Sequence, residues 1–292
     1  MKPRLNVVGA AIIKEGKVLA LRRSHGNESI IHKFEFVGGK IEEGETPEEA
    51  LARECMEELS LETEVGVLLN TVEYEYPDNT IVLSVYFVRP LSDFVLKEHE
   101  ESKWLNPSEI DPDEWAPADR EFLQILMAGY IASRDATDEK DFDFIRYVAH
   151  TVMHEAFDDI TPEGQVDYMV KLFFSPEAVK LSISEQEYSY KVIMLNGEPA
   201  GFYSYCPAKY FDTTAEEGTF LSKLYLLPFA RGKRIATKVF DRLRRPVYLT
   251  VKRDNTNAVS IYKHCGFRIV QTVENDIGGG YSMDDFIMVL GK

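Results

Sequence analysis

The sequence predicts two domains of the α/β (α+β) class in one chain. Three observations carry this. At 292 residues the chain is long enough for one large or two ordinary domains. Alternating apolar strands and capped helices interleave in both halves, and neither half is all-α or all-β. Charge is unevenly divided: residues 1–129 hold 13 Lys and Arg against 26 Asp and Glu, and residues 130–292 hold 20 against 23, within a formal total of −16. The expected boundaries are 1–129 and 130–292, with the junction at Ala128-Gly129-Tyr130. No Pro- or Ser-rich stretch marks a flexible tether there.

The first half opens with apolar alternation over Val7–Ile13 and Lys17–Arg23, separated by the turn Glu15-Gly16. The pair Gly38-Gly39 follows. A helix is expected from about Pro47 to Leu59, because Thr46 is a natural N-cap, Pro47 fits the first helical position and Glu49 completes a capping box. Strands are expected near Glu64–Tyr76 and Thr80–Val88. Glu114–Met127 reads as a short loop and a closing helix. In the second half, Ile131–Arg134 suits a strand, and Thr137-Asp138-Glu139 caps a helix with apolar residues Phe142, Ile145, Val148 and Ala149. A further helix lies near Glu163–Phe174. The turn Asn196-Gly197 joins strands Tyr190–Leu195 and Ala200–Tyr205. Strand, basic loop, helix, strand and helix follow to Cys265, and a hairpin ends the chain.

Composition excludes several classes. No apolar run approaches membrane-span length, and Gly9, Lys14 and Glu15 interrupt the N-terminal apolar stretch too early for a signal peptide. Cys55, Cys206 and Cys265 are scattered without CxxC spacing, which suits reduced, mostly buried thiols in a cytoplasmic protein. The acidic balance lacks the basic footprint of a nucleic-acid-polymer binder, and in the first half it suits divalent metal.

The first chemical constellation is GKIEEGETPEEALARECMEELSL, from Gly39 to Leu61. Glu54, Glu57 and Glu58 stand at i, i+3 and i+4, so they share one helical face. Three carboxylates on one face repel unless a cation neutralises them, and oxygen ligands at this density suit Mg²⁺ or Mn²⁺. A solvated acidic face has the same spacing. The complete pattern resembles the Nudix box: Gly39, Glu45, Arg53, Glu54, Cys55, Glu57, Glu58, Ser60 and Leu61 fill its positions. Cys55 stands where an aliphatic residue is usual, and Ser60 where glycine is usual. The resemblance covers residues 1–130 and implies a Nudix α/β/α sandwich that hydrolyses a nucleoside triphosphate or related nucleoside diphosphate derivative. Glu54, Glu57 and Glu58 are then the metal ligands and catalytic carboxylates, and Glu98 matches a distal glutamate that serves the metal or the base. Glu98 also reads as one exposed acid among several. The flanks Phe34–Glu42 and Trp104…Trp115-Ala-Pro-Ala-Asp119 look like MutT-type and CTP-type pyrophosphohydrolases. In those, the residue matching Asp119 contacts the base and the arginine matching Arg23 lies near the nucleotide; Asp119 otherwise reads as the cap of the helix after it. A CoA-cleaving Nudix enzyme would carry a further motif that residues 22–37 lack.

The second constellation is Leu224–Thr237, a basic, glycine-containing loop between a strand and a helix. Backbone N–H groups at such a helix start, with Arg231, Lys233 and Arg234 beside them, make a cradle for a diphosphate. The loop resembles motif A of the GNAT superfamily, with Arg231 first, Gly232 within and Ala236 last; Arg234 stands where glycine is usual. Leu249–Phe267 looks like motif B. The resemblance covers residues 131–291 and implies the mixed-sheet GNAT fold and acetyl-CoA-dependent N-acetylation of a small amine or a protein N-terminus or lysine. It assigns Leu224 and Leu226 to the pantetheine arm. The Arg231–Thr237 loop, with Lys233, Arg234 and Ala236, falls to the diphosphate, Asn255 to the cofactor, and Tyr262 to protonation of the departing thiolate. Plain core packing is the other reading of Tyr262. Glu216 or Glu217 is a candidate general base. Asp284 and Asp285 are candidates to bind a cationic amine, and solvated hairpin charge is the favoured reading of both.

Three arrangements compete for the whole chain. In one, both halves are enzymes. In another, the Nudix module binds a nucleotide without cutting it and regulates the acetyltransferase. In the third, the acetyltransferase half is a structural or dimerisation module, against which the filled Asn255 and Tyr262 positions argue. The filled Glu45, Arg53, Glu54, Glu57 and Glu58 positions favour catalysis. A homodimer is left open, and neither a nucleic acid polymer nor a membrane is an expected partner.

Overall fold

A computed structural model describes residues 2–208 and 218–291. The chain divides into two compact units, Met1–Ala132 with Met194–Glu198, and Ser133–Ile193 with Pro199–Lys292. Among the described residues no helix is long and apolar enough to cross a membrane.

In the first unit the sheet runs β3(Phe34–Glu35), β2(Lys17–Arg23), β1(Arg4–Lys14), β6(Thr80–Pro90), β5(Thr63–Glu75), with β4(Val37–Lys40) also on β1 and β7(His99–Leu105) also on β2. The β1–β6 pair is parallel, from Arg4↔Thr80 to Ile12↔Val88, and the others are antiparallel. Side-chain alternation then fills two cores. Val8, Ala10, Ile12, Leu19 and Leu21 join Ala50, Leu51, Cys55 and Leu59 of α1(Pro47–Leu59). Ala11, Ile13, Val18 and Ala20 join Phe122, Leu123 and Leu126 of α2(Arg120–Ala128). Each face of the sheet thus carries one helix, the α/β/α sandwich expected.

α1 starts as its sequence dictates. Thr46 Oγ1 accepts from Glu49 N at 3.2 Å, and Glu49 Oε2 accepts from Thr46 N at 2.9 Å. It ends at Ser60, left-handed at φ 49° and ψ 34°, whose N–H donates to the Cys55 and Met56 carbonyls. That conformation costs an L-residue roughly 1–2 kcal/mol, while glycine's larger loss of backbone freedom costs roughly 0.5–1 kcal/mol. Ser60→Gly is therefore expected to raise the urea midpoint by up to about 1 kcal/mol of stability at unchanged m. A lowered midpoint would contradict the strain reading.

In the second unit the sheet order is β13(Arg268–Gly278), β14(Tyr281–Leu290), β12(Val247–Lys252), β11(Thr219–Leu226), β10(Glu198–Pro207), β9(Ser189–Leu195), β8(Ile131–Asp135). Helices α3(Glu139–Phe157), α4(Gln165–Phe174) and α5(Pro176–Glu185) precede β9; α6(Ile235–Arg242) follows β11, and α7(Thr256–His264) follows β12. The parallel pairing of β11 with β12 covers Thr219↔Val247 to Leu221↔Leu249 and stops there, although β11 continues to Leu226 and β12 to Lys252. The two strands part beyond Leu221. Beyond that point the facing residues of the two strands form one wall of a cavity.

Candidate active sites

In the first unit, α1 delivers its acidic face to the segment Gly38–Lys40. Arg53 organises it. Its Nε donates to Glu45 Oε1 at 2.7 Å, Nη1 to Glu54 Oε1 at 2.9 Å and Glu57 Oε2 at 3.1 Å, and Nη2 to Glu45 Oε2 at 3.0 Å and the Lys40 carbonyl at 3.1 Å. This guanidinium holds the Glu45 carboxyl down at about 2. A Cβ on Gly39 would lie 2.1 Å from Glu54 Oε1, so only glycine lets that carboxylate sit against the backbone. Glu58 is the enclosed member. Its Oε2 is buried without a hydrogen-bond partner among the described residues. Burial first, then the charges of Glu35, Glu54 and Glu98, push its carboxyl up to about 8. Carboxylates gathered around a Glu58 raised by burial and by their charges, with one buried oxygen lacking a hydrogen-bond partner among the described residues, fit a divalent cation.

Glu35 and His99 join the cluster without a motif to announce them. His99 Nε2 lies 3.1 Å from Glu35 Oε1 and 3.8 Å from Glu58 Oε2, and Arg23 Nη1 pairs with Glu35 Oε2. The trace in the sequence is position: Glu35 lies in β3, three residues before Gly38, and His99 directly after Glu98.

In the second unit, a cavity of about 470 Å³ lies where β11 and β12 part, closed by α3, α4 and α7. Tyr262 borders it, its ring held by Phe240 at 6.2 Å and Phe267 at 5.6 Å, and burial pushes its hydroxyl up to about 12. Lys223 borders the cavity too, its ammonium 5.2 Å and 5.7 Å from the Phe173 and Phe174 ring centres. It is partly buried where it faces the cavity, and burial lowers its pKa against the opposing charge of Asp285.

The comparisons follow these two sites. The NUDIX domain family matches residues 3–126, and the Acetyltransferase (GNAT) family matches residues 151–267. The 8-oxo-dGTP diphosphatase of Escherichia coli K12 is 32% identical over 124 residues, which are 42% of this chain and 96% of that protein. The chain is a Nudix hydrolase joined to a GNAT acetyltransferase. Similarity to the CTP pyrophosphohydrolase of the same organism is 33% over 125 residues, 42% of this chain and 92% of the relative. The crystal structure of the PaiA N-acetyltransferase of Thermoplasma acidophilum, in complex with coenzyme A, aligns at TM-score 0.41 and 20% identity over 56% of this chain and 99% of that one.

The Nudix–GNAT chain places its other expected site residues unevenly. Glu54, Glu57 and Glu58 share the α1 face, and Glu98 lies close enough to act on Glu58. Arg23 is committed to Glu35, so its guanidinium belongs to the acidic cluster. Asp119 precedes α2 but makes no side-chain cap: its backbone is already helical, at φ −81° and ψ −21°. Its carboxylate is buried and accepts from Phe36 N at 3.4 Å, and burial raises its pKa well above the ordinary range. The capping reading is thereby corrected.

In the GNAT unit, Leu224, Leu226, Arg231, Ala236, Asn255 and Tyr262 border the cavity, while Gly232, Lys233, Arg234 and Thr237 are exposed along the loop and first turn of α6. Arg231 is not a free cation. Its Nη1 and Nη2 hold Glu155 of α3 at 2.6 Å and 2.7 Å, and its Nε donates to the Leu226 carbonyl at 3.1 Å. Arg234 is left-handed at φ 57° and keeps the turn that glycine would give. Asn255 Oδ1 caps α7 by accepting from Ala258 N at 3.0 Å, which leaves its NH₂ end for a ligand. Asp284 pairs with Arg253 at the surface, as a hairpin charge does. Asp285 does not: it is 2% exposed, borders the cavity and has a buried Oδ1 without a partner among the described residues. Strand alternation turns it inward where its neighbour turns out. Glu216 and Glu217 lie outside the described residues. Cys55 is buried and its thiol is pushed up to about 12, the opposite of a reactive nucleophile.

Proposed function

We propose that the N-terminal unit hydrolyses a nucleoside triphosphate to the monophosphate and pyrophosphate with Mg²⁺ or Mn²⁺, and that the C-terminal unit moves an acetyl group from acetyl-CoA to an amine. One observation carries the first part: the Glu58 oxygen that is buried without a hydrogen-bond partner among the described residues, on the same helix face as the Arg53-ordered carboxylates. Glu54, Glu57 and Glu58 are the residues to hold the metal, with Glu98 beside them. Bound there, a divalent cation polarises the phosphates and lowers the pKa of water. The chain's own part is to fix Glu45, Glu54 and Glu57 through Arg53 and to hold Glu58 mostly buried beside them. Relatives named 8-oxo-dGTP diphosphatase and CTP pyrophosphohydrolase support a purine or pyrimidine triphosphate as substrate.

Asp119 is the base-reading residue in this proposal. A buried carboxyl with a raised pKa can stand as a neutral donor and acceptor toward a base edge. Asp119→Ala is expected to reorder nucleotide preference, costing the preferred base about 1–3 kcal/mol in kcat/KM while less favoured nucleotides change less. A uniform loss over all nucleotides, or lower thermal stability alone, would remove that role.

In the acetyltransferase, the amine nitrogen attacks the thioester carbonyl, the C–S bond breaks, and the thiolate leaves with the proton of Tyr262. Two carboxylates border the cavity among its described residues, and Glu155 is engaged by Arg231. Asp285 is thus placed to receive the ammonium and take its proton, and a raised pKa suits that task. The deciding experiment pairs two screens on the full chain: metal-dependent pyrophosphate release over canonical and oxidised nucleotides, and acetyl-CoA consumption over small amines and peptide N-termini. Tight nucleotide binding without pyrophosphate release would replace hydrolysis by a regulatory, binding-only role.

A further inference from the structure

α3 and α4 carry a cluster that neither active site uses. His150 and His154 stand four residues apart on α3, so they share a face, with ring centres 4.4 Å apart. Asp167 on α4 reaches the same point, its Oδ1 3.2 Å from His154 Nε2. One ligand atom from each of the three lies within 4.8 Å of the others. The second nitrogen of His154, Nδ1, faces Asp158 at 2.9 Å and 3.0 Å.

Both nitrogens of His154 therefore meet carboxylates. A neutral imidazole has one N–H and one lone pair, so it satisfies one of them and not both. With the proton on Nδ1 toward Asp158, the Nε2 lone pair points at an Asp167 oxygen, acceptor against acceptor. A cation at that point resolves the conflict, and His150 brings a second imidazole to it. Two imidazoles and a carboxylate, with another carboxylate holding the far nitrogen of one ring, is a donor set for a borderline divalent metal. It differs from the carboxylate-rich cluster of the first unit, where His99 is paired with Glu35 and oxygen donors dominate, which suits a hard cation.

We propose that His150, His154 and Asp167 bind Zn²⁺ or a similar borderline divalent metal, with Asp158 orienting His154 and water in the fourth position. His150 and Asp167 are exposed, so both can rotate to close bonds of about 2.0–2.2 Å. The metal clips α3 to α4. These helices border the acetyltransferase cavity through Met153 and Glu155 on one and Gln165 and Met169 on the other, so the clip fixes the spacing of two of its walls.

The test is isothermal titration of Zn²⁺ into the full chain in saturating Mg²⁺, which occupies the hard carboxylate cluster. Wild type is compared with His150→Gln, Asp167→Asn and Asp158→Asn. The first two alter exposed side chains, and all three leave the carboxylate cluster intact. One zinc site is expected to vanish in His150→Gln and in Asp167→Asn, and to weaken by about 10–100-fold in Asp158→Asn. Zinc is expected to raise the thermal midpoint of wild type and not that of His150→Gln. Equal zinc stoichiometry and equal thermal shifts in wild type and His150→Gln would overturn the proposal and leave a doubly protonated His154 as what balances the two carboxylates.

Discussion

Replacing Glu58 by glutamine is expected to lower nucleotide hydrolysis by at least about 10²–10³-fold, the scale on which loss of one electrostatic group at a reacting centre is felt. Glutamine keeps the size and one oxygen and removes the charge. Arg53 bonds Glu45, Glu54 and Glu57 but not Glu58, so its network survives the change. The measurement is pyrophosphate release at saturating Mg²⁺, and undiminished turnover would remove Glu58 from the metal.

The same variant has a signature in stability. The Glu58 carboxyl is raised to about 8 from an ordinary 4.5, first by burial and then by Glu35, Glu54 and Glu98. In metal-free buffer the unfolded chain releases this proton near pH 4.5, while the folded chain holds it to about pH 8. The group's contribution to stability is therefore full below the lower value, falls across the window and is flat above it. Glutamine does not titrate. With chelator present, Glu58→Gln should melt above wild type at pH 8, with the difference shrinking toward pH 5. Mg²⁺ should stabilise wild type more than the variant, because it binds the charged form. Equal melting of the two at pH 8 without metal would mean that the carboxylate is not strained by its burial.

What the sequence disclosed and what it withheld have physical causes. α1 was legible to the residue, since a capping box, a proline at the first position and a left-handed terminus are all local. The carboxylate face was legible for the same reason, as i, i+3 and i+4 spacing needs no tertiary knowledge. β7 was not anticipated: His-Glu-Glu-Ser-Lys-Trp-Leu is charged, and it becomes a strand by pairing with β2, from Val18↔Leu105 to Arg23↔His99. That pairing is what delivers His99 to Glu58, across 41 residues of chain. α5 was missed beside α4 although Ser175 and Pro176 cap and start it; only Ser175 separates the two helices, so no loop marks a second one. The placement of Asp285 followed from strand parity, which hinges on the register of β14 against β12. Arg231 shows the reverse error. The motif marked it as a free charge for the cofactor, and long-range contact with Glu155 makes it the residue that fixes the loop.

Tyr262→Phe is expected to cut acetyl transfer by on the order of 10²-fold or more while acetyl-CoA affinity stays nearly unchanged. The substitution keeps the ring against Phe240 and Phe267 and removes only the hydroxyl. A general acid must hold its proton until the thiolate forms, and burial, pushing this phenol up to about 12, ensures that at neutral pH. The donor is then a weaker acid than a free thiol, whose pKa is about 8.5. The mismatch narrows in the cavity, because the burial that disfavours phenolate also disfavours the departing thiolate and raises its basicity. Loss of the hydroxyl leaves that thiolate to form without a donor in a poorly solvating site, which is a transition-state effect with little counterpart in cofactor binding. Titration of acetyl-CoA beside steady-state rates separates the two: unchanged Kd with reduced kcat supports the acid. Full turnover in Tyr262→Phe would assign the proton to another group and return Tyr262 to a packing role. Equal losses of affinity and turnover would mean that the hydroxyl positions the cofactor instead of protonating it.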